Sequence, residues 1–329
     1  MMDYIDTDTL HMLGRVITDE LIAVNVEAIT TLPAEYKNTV QEKNKYVIQL
    51  FLIRKKNLKP KTKEGYLNAI KRLITSINYK PLDAMDENDI DWYLTAYERR
   101  NVSSGGRINK PATVNNERHY LSAFFSWMRR AKLISDNPVD GIEPIKVVQP
   151  PIDYYTAEEM AQMRDACRNI RERAILETFR STGARVGEVS EIRRDQVNMD
   201  TGDILILSKK SELYRMIYLD EDARHYYRLY LENRSDDSPY MFVGCRAPHS
   251  KLSTDAYRGI FKEIGLRAGI KTRVYPHKMR KTLGMGLKNK GCDLGTIQEI
   301  LGHKNPMVTA MYYAQSTPDT LRQVRSRVL

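Results

Sequence analysis

The sequence predicts a mainly α-helical protein with a small β-sheet, built as a helical domain followed by a mixed α/β domain. Three observations predict it. Apolar residues recur at helical spacing through residues 41–140, a proline-rich stretch follows, and beyond it helical patterns are interrupted by two short β-prone runs. The 329 residues allow two domains of about 150 residues each.

Residues 1–40 read as an acidic leader, with two Lys or Arg against seven Asp or Glu. Its stretch "LHMLGRVITDELIAVNVEAI" still carries Leu10, Leu13, Val16, Leu21, Val24 and Val26, apolar enough to pack against protein. The helical domain spans 41–140. Its first helix is "NKYVIQLFLIRKK". In "EGYLNAIKRLITSINY", Leu67, Ile70, Ile74 and Ile77 form one stripe, with Lys71 and Arg72 on the other side. "ATVNNERHYLSAFFSWMRRAK" repeats the pattern through Val114, Leu121, Phe125 and Met128 and ends on Arg129 and Arg130. The basic loop "RRNVSSGGRINKPA" adds Arg107 and Lys110.

"NPVDGIEPIKVVQPPI" holds Pro138, Pro144, Pro150 and Pro151, which disfavour helix, so residues 141–152 are expected to form an extended linker. The last domain is expected over 153–329. Within it "DILIL" and "RMIYL", separated by the polar "SKKSELY", predict a β-hairpin.

Composition narrows the function. A hydrophobic fraction of 42% and a charged fraction of 29% are those of a globular chain. No apolar run approaches the roughly 20 residues of a membrane span, and the acidic start is unlike a signal peptide, so a cytoplasmic protein is expected. Cys167, Cys245 and Cys292 are scattered singly, without metal-ligand spacing. No glycine-rich phosphate loop appears either, and no metal or cofactor is expected. The net charge of +10 is uneven: residues 41–150 hold twenty Lys or Arg against twelve Asp or Glu, and residues 151–329 thirty against twenty-three. Two basic modules behind an acidic leader point to a polyanion touched by both modules.

Four short stretches carry candidate chemistry. "STGARVGEVSEI" puts Arg185 at the start of a predicted helix, where free backbone N–H groups favour an anion, with Val186, Val189 and Ile192 as its apolar stripe and Glu188 three residues on to orient the guanidinium. "YPHKMRKT" sets His277 and Arg280 on one helical face. Arginine grips two phosphate oxygens with its planar fork, and histidine exchanges a proton with a neighbour. "SKKSELYRMIYL" places Lys209 and Lys210 at the hairpin tip, and "LGHKNPMVTAMYYAQ" follows His303 with two phenols, Tyr312 and Tyr313. Seen singly, these stretches read more readily as a surface ion pair, a solvated basic face, an ordinary lysine turn and tyrosines packed at a core edge.

Their order and spacing decide otherwise. Arg185, a hairpin lysine, His277-x-x-Arg280, Leu301-Gly302-His303 and a tyrosine nine residues later resemble the tyrosine recombinase (phage integrase) family across residues 151–315. The helical module resembles that family's core-binding, SAM-like domain. The resemblance implies two domains forming a C-shaped clamp on double-stranded DNA, and site-specific strand cleavage and rejoining without metal. It implies that Arg185 and Arg280 bind the scissile phosphate, that His277 positions it and handles the nucleophile's proton, and that His303 hydrogen-bonds it. Lys210 would protonate the leaving 5′ oxygen; counting forward from Arg185 permits Lys209 instead. The family's spacing selects Tyr312 as the nucleophile that forms a 3′-phosphotyrosyl link, while Tyr313 points about 100° away around the helix and is expected to pack. One departure is Lys281, where many relatives carry a second histidine.

The same resemblance implies a homo-oligomer, a dimer on one site and a tetramer in the synaptic complex, with an accessory directionality factor as a further partner and no membrane. Lys71, Arg72, Arg107, Lys110, Arg129 and Arg130 are the expected DNA contacts of the helical domain. Integration or excision of a mobile element is the first expectation, and a Xer-like resolvase of chromosome or plasmid dimers is the alternative. A non-catalytic repressor or accessory factor is the alternative of another class.

Overall fold

The computed structural model describes residues 40–77, 80–101, 106–148, 150–208, 213–303, 305–313 and 325–326, the side chains of Leu213, Val308, Met311 and Tyr312 aside. The acidic leader up to residue 39, and with it Leu10 to Val26, lies outside these residues, as do Lys209 and Lys210. The chain divides into two compact units between residues 149 and 150.

The first unit is all helical: α1 (Val40–Arg54), α2 (Pro60–Ser76), a 3₁₀ turn (Leu82–Ala84), α3 (Glu87–Arg99) and α4 (Pro111–Arg130). Pro60 and Pro111 open α2 and α4, where a missing N–H costs nothing. A capping box between Asp86 and Asp89 starts α3. The predicted stripes turn inward. Ile70, Leu121, Phe125 and Met128 are fully buried, Ile74 and Val114 nearly so, and Phe51 meets Tyr66, Phe124 and Trp127 edge-on.

Two of the expected DNA contacts are engaged inside this unit. Arg72 donates from Nε and Nη2 to the buried Glu117 carboxylate at 3.0 and 2.6 Å, and the Tyr93 hydroxyl donates to Glu117 at 2.6 Å. A buried carboxylate needs such partners, and Arg72 supplies one from a partly exposed position. Arg129 pairs with Asp140 at 2.9 Å on the surface. Lys71, Arg107, Lys110 and Arg130 are exposed.

The second unit runs α5 (Ala157–Asp165), α6 (Ile170–Thr182), α7 (Val186–Val189), a 3₁₀ turn (Arg194–Gln196), β1 (Asp203–Ser208), β2 (Leu213–Tyr218), α8 (Glu221–Glu232), α9 (Thr254–Arg267), α10 (Pro276–Asn289), α11 (Leu294–Leu301) and α12 (Pro306–Tyr313). Helix α6 is central, with Ala174, Ile175, Leu176 and Phe179 fully buried against α8 and α10. Its buried Glu177 takes guanidinium bonds from Arg164, Arg173 and Arg180, a carboxylate that stays charged because three cations surround it. The hairpin is antiparallel, pairing Ile206 with Arg215 and Ile204 with Ile217.

The helix expected to continue from Arg185 past Val189 is a single turn. Its Val189 and Ile192 are buried, but the chain leaves the helix at Ser190 so that Arg193 and Ile192 can pair with Tyr240 and Met241. The first residues of the unit are pinned to α10. Fully buried Lys278 reaches Asp153 at 2.6 Å and Thr272 at 3.1 Å and lies over the Tyr155 ring, while the Tyr155 hydroxyl accepts from the Tyr275 N–H at 2.9 Å.

Candidate active site

Four of the residues singled out in the sequence meet around the end of α11. Arg185 sits at the N-cap of α7, Glu188 at its third position, Arg280 one turn into α10, and His303 just after α11. Glu188 is buried and divides its two oxygens. Oε1 accepts from Arg185 Nη1 at 2.8 Å; Oε2 accepts from Arg215 Nη2 and from the Arg185 backbone N–H, each at 2.8 Å. Burial alone would raise its pKa, but Arg215 and Arg185 outweigh burial and hold the carboxyl below its ordinary range.

Three guanidiniums then cap three successive carbonyls. Arg215 Nη1 donates to Ile300 O at 3.0 Å, Arg280 Nη2 to Leu301 O, and Arg185 Nη2 to Gly302 O at 3.2 Å. The C-terminal end of a helix is the negative end of its dipole and leaves carbonyls unpaired, so cations collect there. Gly302 makes the arrangement possible. Its φ of +62° is a left-handed conformation, and a Cβ there would stand 2.6 Å from Arg215 Nε.

The cluster carries an excess of positive charge. Arg280 is buried; among the described residues it donates otherwise only to Gly183 O at 2.9 Å and has no carboxylate within ion-pair distance. Burial, together with Arg185 and Arg215, pushes its pKa down to about 9, which still leaves it charged at neutral pH. Arg215 Nε is buried without a hydrogen-bond partner among the described residues. His303 is half-buried, and burial together with Arg280, Arg185, His277 and Arg215 pushes its pKa down to about 4. Three guanidiniums against one carboxylate, with a neutral imidazole beside them, make a seat for an anion.

His277 stands exposed in the first turn of α10, close enough to act on His303 through its charge. His303 Nδ1 lies 2.8 Å from the Thr309 hydroxyl. Tyr312 belongs to α12, and the buried Tyr313 packs with Met285, Ile297 and Leu301. Lys209 and Lys210 belong to the segment outside the described residues, between β1 and β2.

Two members of the site were not anticipated. Arg215 was not singled out in the sequence. Its signal was a charge on the inward face of β2, between exposed Tyr214 and Met216 and in line with buried Ile217. Thr309 carried no signal beyond a hydroxyl in an apolar helix.

Known proteins share this architecture. Residues 153–319 match the phage integrase family, and residues 49–134 match the phage integrase N-terminal SAM-like domain. The tyrosine recombinase XerA of Thermococcus kodakarensis is 28% identical over 265 residues, covering 76% of this chain and 92% of the relative. The tyrosine recombinase XerC of Oceanobacillus iheyensis is 26% identical over 287 residues, covering 82% and 90%. Among solved structures, the Tn1549 transposon integrase in complex with transposon right-end DNA has a similar fold, with a TM-score of 0.68 at 20% identity over 85% of this chain and 98% of that one. A λ integrase dimer bound to a COC′ core site aligns with a TM-score of 0.66 at 18% identity, over 80% and 95%. With the arginine cluster in place and the family match covering residues 153–319, more than half of the chain, this chain belongs to the phage integrase family.

Proposed function

We propose that this protein is a site-specific DNA recombinase that cuts and rejoins duplex DNA through a 3′-phosphotyrosyl intermediate. The observation that carries the reading is the capping of Ile300, Leu301 and Gly302 by Arg215, Arg280 and Arg185, which builds an anion seat beside the helix containing Tyr312. Attack on a phosphodiester is slow because a nucleophile must approach an anion and an alkoxide must leave. Fixed cations answer the first difficulty and a proton donor the second.

Arg185 and Arg280 take the non-bridging oxygens, and His303 donates a hydrogen bond to the same phosphate. The Tyr312 oxygen bonds to phosphorus as the bond to the 5′ oxygen breaks. Its proton passes to His277, and Lys210, or its neighbour Lys209, supplies a proton to the departing oxygen. The link stores the phosphodiester energy, so rejoining is the same step reversed with another 5′ hydroxyl. Glu188 acts one layer back by orienting Arg185.

The partner is double-stranded DNA, bound by a homodimer on one site and a tetramer in synapsis, and the enzyme works in the cytoplasm. Integration or excision of a mobile element remains the first reading of its biology. Resolution of chromosome or plasmid dimers is a second, favoured by the XerA and XerC relatives that this chain matches over 92% and 90% of their length. Incubation with a nicked suicide substrate tests the chemistry: a covalent protein–DNA adduct mapping to Tyr312 is expected. DNA binding without any adduct would leave a non-catalytic repressor or accessory factor. Mapping the cleaved site distinguishes the two biological readings, since a mobile-element integrase cuts at the ends of its own element.

A further inference from the structure

Thr309 lies on α12, three residues before Tyr312, and only 1% of it is exposed. Its hydroxyl is 2.8 Å from His303 Nδ1. The main chain of His303 is already held on both sides by one residue: its N–H donates to Gln298 O at 3.1 Å, and Gln298 Nε2 donates to its carbonyl at 3.1 Å. What remains undetermined is the ring, both its rotation and which nitrogen bears the proton. A neutral imidazole has one N–H and one lone pair, and the hydrogen bond at one nitrogen decides what the other can do.

We infer that Thr309 is a positioning residue for His303: its hydroxyl donates to Nδ1, leaving the proton on Nε2, and so ties the seating of the nucleophile helix to the readiness of the phosphate site. The inference rests on the recombinase reading, in which His303 donates to a phosphate oxygen.

The chemistry selects that direction. A ring that must donate to a phosphate needs its proton on Nε2, and Nδ1 then needs a donor. Burial and the nearby Arg280, Arg185 and Arg215 guanidiniums keep the ring neutral. With a single N–H to place, a buried hydroxyl at Nδ1 is the group that places it. Thr309 is shielded from water, so this bond has no solvent competitor when α12 is seated. When α12 withdraws, His303 loses the partner that orients it. The phosphate site is therefore complete only while the helix carrying Tyr312 is docked, which protects DNA held at the site from water-driven cleavage.

The test compares Thr309→Val, which keeps the shape and removes the hydroxyl, with Thr309→Ser, which keeps the hydroxyl. Nitrogen-15 spectra of the imidazoles in the free, full-length protein report the tautomer independently of activity. The wild type and Thr309→Ser are expected to show His303 with its proton on Nε2, and Thr309→Val a mixture of tautomers. In single-turnover adduct formation, Thr309→Val is expected to slow cleavage about 10- to 100-fold at unchanged DNA affinity, with Thr309→Ser recovering most of the rate. A wild-type tautomer spectrum and wild-type rate in Thr309→Val would overturn the inference. So would a wild-type spectrum with Thr309→Ser as slow as Thr309→Val, because the role would then be one of shape. If no adduct forms even in the wild type, the recombinase reading fails, while the spectra still decide whether Thr309 selects the tautomer.

Discussion

Tyr313 rests directly on Gly284: a Cβ built at residue 284 would lie 2.5 Å from both Cζ and Oη of the phenol. Gly284 stands one turn after Arg280 on α10, so the two share a face, and the contact seats α12 over the guanidinium that anchors the anion site. The second of the two adjacent tyrosines thus has a packing role that places the helix of the first.

Gly284→Ala is expected to lift α12 off α10. The substitution adds about 1 kcal/mol of intrinsic helix stability, so any loss comes from the steric clash with Tyr313. Adduct formation should fall at least tenfold while binding to a single DNA site persists. Parallel suicide-substrate and gel-shift assays measure the split, and an unchanged cleavage rate would reject the role given to Tyr313.

Tyr312→Phe is expected to abolish the covalent adduct and leave DNA binding intact, because it removes one nucleophilic oxygen. Tyr313→Phe keeps the ring that packs on Gly284 and should still form the adduct. Peptide mapping of the trapped complex checks both. An adduct on Tyr313 would contradict the assignment.

Glu188→Gln leaves Arg185 and Arg215 without their shared buried carboxylate. Loss of one member of a buried ion pair costs about 3–5 kcal/mol, and urea unfolding should register a loss of that order. Added sulfate should recover part of it by occupying the anion seat. A variant as stable as the wild type would mean that the cluster does not depend on this carboxylate.

His303 is expected to remain neutral well below its ordinary range in the free protein, titrating near 4 instead of 6.5. Because the folded-state value is depressed, the folded chain resists a proton that the unfolded chain accepts. The stability contribution is present above about 6.5 and lost as pH falls toward 4. Binding of a phosphodiester supplies negative charge and should move the titration upward. Imidazole resonances followed from pH 7 to 4, with and without DNA, check both shifts, and a free-protein value near 6.5 would contradict the cationic field.

Lys210→Ala should cleave a substrate whose scissile 5′ oxygen is replaced by sulfur far better than the natural one, since a thiolate departs without a proton. Selective rescue of Lys209→Ala instead would move the assignment by one residue.

The sequence by itself determined the class of the fold and the family of the chain. Helical periodicity marked α2 and α4, alternating β-prone runs marked the hairpin, and the order Arg185, His277, Arg280, His303, Tyr312 carried the family, because each of these is a local pattern or a count along the chain. Even there the count stopped short at Arg185, where a helix read from Val186, Val189 and Ile192 is one turn long because pairing with Tyr240 and Met241 draws the chain away. Tertiary structure alone decided which polar groups meet. Arg185 reaches Gly302 across 117 residues and Arg215 reaches Ile300 across 85, contacts that no periodicity encodes. It also turned Arg72 toward the buried Glu117 and brought Thr309 to His303. Burial is the physical reason: once packing removes water from a carbonyl, a carboxylate or an imidazole, the group must find its partner wherever the fold has brought one.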